Sequence, residues 1–345
     1  MSLKESVLSA AGRALAAPFP GAPLRRACDR LSLSGGPRLS RGPKFQILVY
    51  HRVLPDKDRF SIGVVTEREM RGHMRVLRDC FRPIPLADLV EELDRGGPEP
   101  GTVCVTFDDG YLDNYRYALP ILEEFGIPAT IFLATDFIGT GKVPWYDRVL
   151  QAVKRSRAER LDPGIEGFPS AALPSGETQR AEAAHRITRW LKQFAPAGRD
   201  AHIERIVSAL RPADDAGAES LMLGWEDVRA MARRGVAFGA HTMTHPILTR
   251  IPLAEAEAEI AGSRRLIEDR LQAPATLFAY PNGQAGDWDA SLMDLLRRLG
   301  FACAVTTVEG VNTPRRDRME LMRRQPWESD PHSFLFRMCS ERVLA

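Results

Sequence analysis

The stretch VCVTFDDGYLDNY, residues 103–115, begins with an apolar run and continues into two adjacent carboxylates, Asp108 and Asp109. Residues 103–107 are typical of a buried β-strand, because they are apolar or β-branched and precede a glycine-containing turn. Burying unpaired carboxylates is costly in free energy. The stretch therefore predicts a strand whose carboxyl end carries a site, with a cation as partner for at least one carboxylate.

The remainder of the chain repeats one unit, which consists of a helical pattern, a closing glycine and an apolar strand pattern. Gly126, Gly235 and Gly300 occupy the closing position, where helices commonly end in a left-handed residue. Two further strand patterns occupy residues 45–50 and 274–281. Helices that alternate with nearly continuous apolar strands predict a parallel α/β sheet that is covered on both faces.

The sequence divides into a leader and one large domain. Residues 1–44 form a leader and a Gly/Pro-rich linker, and residues 45–345 form the domain. Residues 141–222 break the strand–helix rhythm and predict an inserted helical subdomain or lid. The leader has two interpretations, a surface-packed segment or a basic amphipathic helix on a membrane surface.

Composition limits the class of protein. The chain has 345 residues, of which 44% are hydrophobic, and a formal net charge of +2, so we expect no nucleic-acid partner. Five cysteines without a CxxC pair favour a reducing compartment. With no clear export signal, we expect a cytoplasmic protein, with peripheral membrane contact through the leader as the alternative. The sequence leaves the oligomeric state open.

Chemically capable side chains follow the strands. The carboxyl ends of parallel strands meet at one face, so residues that follow different strands are expected to lie together. Two imidazoles and one carboxylate are typical of a catalytic divalent-metal site with a position left for water. A second carboxylate then accepts the proton of that water. The residues in question are His51, Arg52, Asp108, Asp109, His241 and His245.

Three motifs carry a resemblance to a known family. TFDDG at 106–110, HTMTHP at 241–246 and FAYPNG at 278–283 resemble those of the polysaccharide deacetylases of carbohydrate esterase family 4, the NodB-homology family. YHRV at 50–53 adds a likeness to the branch found in bacterial exopolysaccharide gene clusters. The resemblance covers residues 45–324 apart from the insertion. It implies a distorted (β/α)7 TIM-like barrel that hydrolyses N-acetyl, sometimes O-acetyl, groups on sugars.

The resemblance also implies roles for single residues. Asp108 would be the general base, and Asp109, His241 and His245 would bind the metal. The backbone N–H of Asn282 would stabilise the oxyanion. The implied cofactor is one divalent ion, for which Zn²⁺ is the expectation, although Ni²⁺, Co²⁺ and Fe²⁺ also accept such ligands. The implied partner is an acetylated glycan.

The sequence departs from the family pattern at two places. The third motif often has an arginine that orients the catalytic aspartate, but Ala279 and Tyr280 occupy that region here. The fifth motif usually ends in histidine, the general acid, but the matching stretch LMR ends in Arg323. We hypothesise that His51 replaces this acid, because the first and last strands of a closed barrel are neighbours. The alternative is a structural histidine.

Four further residues are expected at the substrate: Tyr280, Pro281, Arg52 and Arg323. Both arginines have alternatives, which are to orient a carboxylate or to lie at the surface. The leading hypothesis is a metal-dependent hydrolase that removes N-acetyl groups from a polysaccharide or lipid-linked glycan. The alternatives are a catalytically degenerate sugar-binding protein, suggested by the missing arginine and the displaced acid, and a hydrolase of a non-sugar C–N amide.

Overall fold

The computed structural model describes residues 44–169, 171–213 and 220–344, so the predicted leader, apart from Lys44, lies outside the described residues. The strands are β1 Gln46–Tyr50, β2 Arg52–Leu54, β3 Val64–Thr66, β4 Arg82–Pro83, β5 Thr102–Phe107, β6 Ala129–Leu133, β7 Arg160–Leu161, β8 Ala171–Ala172, β9 Ala237–Ala240, β10 Leu277–Ala279, β11 Cys303–Glu309 and β12 Leu321–Arg323. The α-helices are α1 Glu67–Cys80, α2 Leu86–Asp94, α3 Leu119–Phe125, α4 Trp145–Arg155, α5 Glu177–Leu191, α6 Pro196–Leu210, α7 Trp225–Arg233, α8 Leu253–Leu271, α9 Ala290–Arg298 and α10 Pro331–Leu344.

Seven parallel strands form a barrel in the order β1-β5-β6-β9-β10-β11-β12, and the short β4 pairs with the beginning of β5. Two backbone hydrogen bonds join the end of β12 to β1. The N–H of Val49 donates to the carbonyl of Arg324 at 2.9 Å, and the N–H of Arg324 donates to the carbonyl of Ile47 at 2.8 Å. The predicted distorted (β/α)7 barrel is confirmed.

The predicted strands and helix ends have the expected physical basis. Every residue of β1, β5 and β6 is buried, as continuous apolar runs indicate for strands covered on both faces. The closing glycines Gly126, Gly235 and Gly300 have φ angles of +63°, +87° and +78°. Glycine adopts this left-handed conformation without the steric penalty of a Cβ atom. Each helix can therefore stop abruptly and return the chain to the barrel.

The segment between β6 and β9 contains α4, α5, α6 and the short antiparallel pair β7–β8. Most of the buried apolar residues of α4, α5 and α6, joined by Phe60 from the loop between β2 and β3, form a cluster separate from the main core of the barrel. The guanidinium of Arg180 ties the segment together by donating to the carbonyls of Val153 and Leu173, each at 3.0 Å. The segment is thus a helical subdomain with an independent core.

Four of the cysteines and all of the helices named above lie within the described residues. Cys80, Cys104, Cys303 and Cys339 are buried, and Cys104 and Cys303 carry free thiols. None of the described helices combines the length and the apolar character that crossing a bilayer requires. The longest of them, α8, has charged residues throughout its sequence.

The tight packing of β9 between its neighbours generates a stability prediction. A Cβ atom on Gly239 would lie 2.6 Å from Phe132 Cε1 and 2.7 Å from the carbonyl oxygen of Leu277. The oxygen belongs to the backbone of β10 and cannot move away without disturbing the barrel. We expect Gly239→Ala to lower the free energy of unfolding by about 1–3 kcal/mol, measured by urea denaturation.

Gly198→Ala is the matched control. Gly198 lies in α6, and a Cβ atom there would meet nothing within 4 Å. Alanine in a helix costs less conformational entropy than glycine, so this variant should be about 0.5–1 kcal/mol more stable than the parent. Equal unfolding free energies for the two variants would contradict the packing argument for β9.

Candidate active site

The two carboxylates lie at the carboxyl end of β5 and are almost inaccessible to solvent, with 1% of Asp108 and 3% of Asp109 exposed. The N–H of Asp108 donates to the carbonyl of Tyr50 at the end of β1, at 3.0 Å. Asp109 then adopts φ = +74°, a conformation uncommon for residues other than glycine. The chain thus leaves the strand in a strained turn that fixes both carboxylates inside the barrel mouth.

Arg323, the last residue of β12, forms a bidentate ion pair with Asp108. Its Nη1 donates to Oδ1 at 2.7 Å and its Nη2 donates to Oδ2 at 2.6 Å. The Nε of Arg323 donates to the carbonyl of Thr306, which fixes the guanidinium plane. Burial alone would raise the pKa of Asp108, but the charge and hydrogen bonds of Arg323, together with the neighbouring His241 and His51, hold that pKa below its usual range.

The predicted metal ligands come together next to this pair. Oδ1 of Asp109 lies 3.5 Å from Nε2 of His241 and 3.4 Å from Nε2 of His245. All three candidate ligand atoms lie within 4.8 Å of one another. The structure therefore brings one carboxylate and two imidazoles to a common point, as the sequence predicts.

The protonation and burial of these groups fit a divalent cation. Nδ1 of His241 lies 2.7 Å from the carbonyl oxygen of Ala279, which only accepts, so Nδ1 carries a proton and Nε2 faces Asp109. Burial opposes a second proton, but the hydrogen bond to Asp109 and the charges of Asp108 and Asp109 raise the pKa of His241, so a divalent ion would replace a proton on Nε2. Burial, together with the neighbouring His241, lowers the pKa of His245 to about 3, so its imidazole is neutral near pH 7. Among the described residues, the buried Oδ1 of Asp109 has no hydrogen-bond partner. The donor set thus fits a metal ion.

The loop that carries both histidines is held by its own hydrogen bonds and by α8. Thr242 and His245 have φ angles of +63° and +60°. The hydroxyl of Thr242 accepts from the N–H of His245 at 3.1 Å. Glu259 of α8 accepts from the N–H groups of Met243 and Thr244 at 2.8 and 2.9 Å. These bonds stabilise a strained backbone that points both imidazoles towards Asp109.

His51 lies between β1 and β2 and lines the same cavity as Asp108 and Asp109. Its carbonyl accepts from the side-chain amide of Asn114 at 2.9 Å. Its Nδ1 is buried and has no hydrogen-bond partner among the described residues. The structure therefore puts a partly accessible imidazole beside the two carboxylates, while its role as general acid stays a prediction.

Asn282 follows β10 and the buried Pro281, with φ = +61°. Its side chain accepts from Lys192 Nζ at 2.5 Å and donates to Asp287 at 2.5 Å. Its carbonyl accepts from the hydroxyl of Thr307 at 2.6 Å. Within the described part of the chain, its backbone N–H has no acceptor, so it is available to a ligand in the cavity.

A cavity with a volume of ≈ 220 Å³ lies over these residues. The helical insertion supplies one wall of it, through residues that the sequence analysis did not single out. The sequence signal for these residues is weak. It consists of the aromatic pair at the start of α4 and a stretch after α5 that mixes charged, aromatic and proline residues. The insertion residues at the cavity are Trp145, Tyr146, Lys192, Phe194, Pro196 and Arg199.

None of the four residues expected at the substrate, Tyr280, Pro281, Arg52 and Arg323, lines the cavity. Arg52 is buried and donates to Asp113 and to the hydroxyl of Ser61, in both cases at 2.8 Å. The hydroxyl of the fully buried Tyr280 donates to the carbonyl of Met319 at 2.7 Å. Neither residue lines the cavity, because each side chain is committed to contacts inside the protein. The fully buried Arg323 likewise contacts Asp108 rather than the cavity.

Comparison with known proteins identifies relatives of this chain. Residues 95–304 match the sequence profile described as polysaccharide deacetylase. The Bacillus subtilis (strain 168) protein YxkH is 22% identical over 271 residues, which cover 77% of this chain and 66% of that protein. The chain thus spans just under two thirds of the length of that relative.

Solved structures share the architecture. The Streptococcus pyogenes deacetylase PplD, solved in complex with acetate, matches with a TM-score of 0.58 at 17% identity and covers 86% of this chain and 98% of its own. IcaB from Ammonifex degensii gives a TM-score of 0.55 at 20% identity and covers 88% and 98%. At these identities the likeness establishes the fold.

The family match extends over more than half of the chain. It includes the carboxylate pair at the end of β5, the histidine loop after β9 and the turn after β10. The family predicted from the three motifs is therefore confirmed, and the chain belongs to the polysaccharide deacetylase family.

Proposed function

We propose that this protein is a metal-dependent hydrolase that removes N-acetyl groups from a polysaccharide or a lipid-linked glycan. One observation carries the proposal. A carboxylate held by an arginine, Asp108, lies in the same cavity as a cluster of one carboxylate and two imidazoles that fits a divalent ion. A base next to a metal site is the arrangement that hydrolysis of an amide by water requires.

Asp109, His241 and His245 would hold the metal. Bound there, a divalent ion supplies Lewis acidity to the acetyl carbonyl and lowers the pKa of a water molecule towards neutrality. Nitrogen and oxygen ligands of this kind suit Zn²⁺ and also accept Ni²⁺, Co²⁺ or Fe²⁺. We retain Zn²⁺ as the proposed ion.

The other residues of the site supply proton transfer and charge stabilisation. Asp108 is ionised and accepts a proton from the attacking water, while Arg323 keeps its carboxylate in one orientation. The backbone N–H of Asn282 donates to the carbonyl oxygen as negative charge develops on it. His51 donates a proton to the departing amine, which would otherwise leave as a poorly stable anion.

The pairing of Arg323 with Asp108 weakens the case for a degenerate sugar-binding protein. That alternative rested on the arginine missing before Pro281 and on the histidine missing near the C-terminus. An arginine from β12 now contacts the proposed base with both carboxylate oxygens engaged. Acetate release from N-acetylglucosamine oligomers, compared with release from acetylated alkylamines, would separate a sugar deacetylase from a hydrolase of non-sugar amides.

We also propose that the protein works in the cytoplasm, with the leader as a site of peripheral membrane contact. Fractionation of cells that express the full chain and a chain lacking residues 1–44 tests this proposal. Recovery of both chains in the same soluble fraction would argue against a membrane role for the leader.

The first prediction concerns the metal. The double variant His241→Ala/His245→Ala should lose bound divalent ion and deacetylation, because a lone carboxylate cannot retain the ion. Metal content after dialysis, measured by plasma mass spectrometry, checks this outcome. His332→Ala, in α10 and away from the cavity, is the control and should keep both metal and activity. Full metal content in the double variant would contradict the assignment.

The second prediction concerns the base. Asp108→Asn should keep the metal and lower kcat by about 10²–10⁴-fold, because an amide cannot accept the proton of water. Arg323→Lys should give a smaller loss, since lysine preserves the charge but not the bidentate geometry. Acetate release and metal content are measured for both variants. A wild-type rate for Asp108→Asn would refute the proposed role.

The third prediction concerns the acid. His51→Ala should strongly lower turnover of N-acetyl sugars and spare the hydrolysis of an activated aryl acetate, whose leaving group needs no proton. Metal affinity should change little, because His51 is not one of the three ligands. Equal losses on both substrates would indicate a structural role for His51 instead.

A further inference from the structure

The cavity beside the metal cluster has three lysine and arginine side chains in its lining. Lys192, directly after α5, and Arg250, in the turn after the histidine loop, both line the cavity, as does Arg199 of α6. The guanidinium of Arg250 donates to the backbone carbonyl of Lys192, so the Arg250 side chain reaches the segment that carries Lys192. Arg199 stacks on the ring of Trp145, with its guanidinium carbon 4.8 Å from the ring centroid. Residues from the insertion and from the barrel thus form one positive surface.

Arg199 is ion-paired with Asp200 at 3.3 Å, so the charge offered to a ligand is that of Lys192 and Arg250. The two carboxylates that line the cavity have other partners, since Asp108 pairs with Arg323 and Asp109 belongs to the metal cluster. Among the described residues, no carboxylate lies within 4.0 Å of the charged nitrogens of Lys192 or Arg250. With a divalent ion bound, the cavity would therefore carry a net positive charge.

Lys192 and Arg250 also have N–H donors that form no hydrogen bond to the described residues. The ammonium of Lys192 has three N–H donors, and the side-chain oxygen of Asn282 takes one of them. The guanidinium of Arg250 has five N–H donors, and within the described residues it donates to the backbone carbonyl of Lys192. Both of these acceptors are neutral, so the site offers unused, charged donors to a ligand. A carboxylate or a phosphate on that ligand would be bound by charge-assisted hydrogen bonds.

We propose that Lys192 and Arg250 form a subsite for an anionic group on the glycan, either on the acetylated sugar or on its neighbour. The inference rests on the proposed function, because it names the class of substrate that the same cavity accepts. The contact between Lys192 and Asn282 puts the subsite beside the turn that would face the acetyl group. The anion is a carboxylate, as in an acidic sugar, or a phosphate, as in a phosphorylated or lipid-linked glycan.

A competing role for these cations is to stabilise the oxyanion or to hold the released acetate. In that case their removal would affect every substrate alike, whether or not it carries a charge. A subsite for an anionic group instead makes the preference for charged glycans depend on Lys192 and Arg250. The ratio of affinities for charged and neutral glycans therefore separates the two roles.

The test measures binding rather than turnover, so that it is independent of catalysis. The full-length Asp108→Asn protein with Zn²⁺ is titrated calorimetrically with tetra-N-acetylchitotetraose. The titration is repeated with two charged oligomers of the same length. One carries the carboxylate of an N-acetylmuramic acid residue, and the other carries a phosphate monoester. We expect at least one charged oligomer to bind about 10-fold or more tightly than the neutral one. The oligomer that binds more tightly, with its carboxylate or its phosphate, identifies the anion.

Added to this background, Lys192→Met and Arg250→Gln should each reduce that ratio several-fold. Arg68→Gln, on the exposed side of α1 and away from the cavity, should leave it unchanged. Equal affinities of the parent for charged and neutral oligomers would overturn the proposal, as would equal losses for both kinds in the variants. Acetate release by the wild-type protein is measured separately. Its absence would refute the deacetylase function without altering the binding ratio.

Discussion

The buried ion pair between Asp108 and Arg323 is the interaction on which the organisation of the site depends. It connects the end of β5 with the end of β12, and it forms only when the barrel closes. Both partners are almost completely buried, so neither charge has water as a substitute. Removing one partner of such a pair typically destabilises a protein by about 3–5 kcal/mol. Closure of the barrel and orientation of the proposed base are thus a single structural event.

The rest of the site is built on backbone that the strands force into unusual conformations. Asp109, His245 and Asn282 all have positive φ angles, although none of them is glycine. Each such residue costs about 1–3 kcal/mol, a cost that the surrounding hydrogen bonds offset. Glu259 does this for the histidine loop, and Asp287 does it for the turn at Asn282. The functional groups are consequently in place before a ligand arrives.

The sequence predicted the parts of the molecule that depend on local patterns. Apolar runs identified the strands, glycines identified the helix ends, and the short motifs identified the residues of the candidate ligand cluster. For Arg323 the sequence offered carboxylate orientation only as one alternative and did not single out Asp108, because Arg323 lies 215 residues away and only barrel closure brings it near. Arg52 is a second example. Its position after a strand suggested a substrate contact, but in the structure it donates to Asp113, which lies 61 residues further along the chain. Contacts between distant segments require the three-dimensional arrangement.

The helical insertion has a hydrophobic core of its own, yet it lends six side chains to the cavity. A unit stabilised internally can change its outward-facing residues, its loop lengths or its helix orientation while the barrel remains intact. Under the proposed function, the barrel carries the chemistry and the insertion contributes to the choice of substrate, so the two properties lie in parts of the chain that can diverge at different rates. For protein engineering, we expect exchange of the insertion to alter the preference for a glycan while the candidate site in the barrel is left as it is.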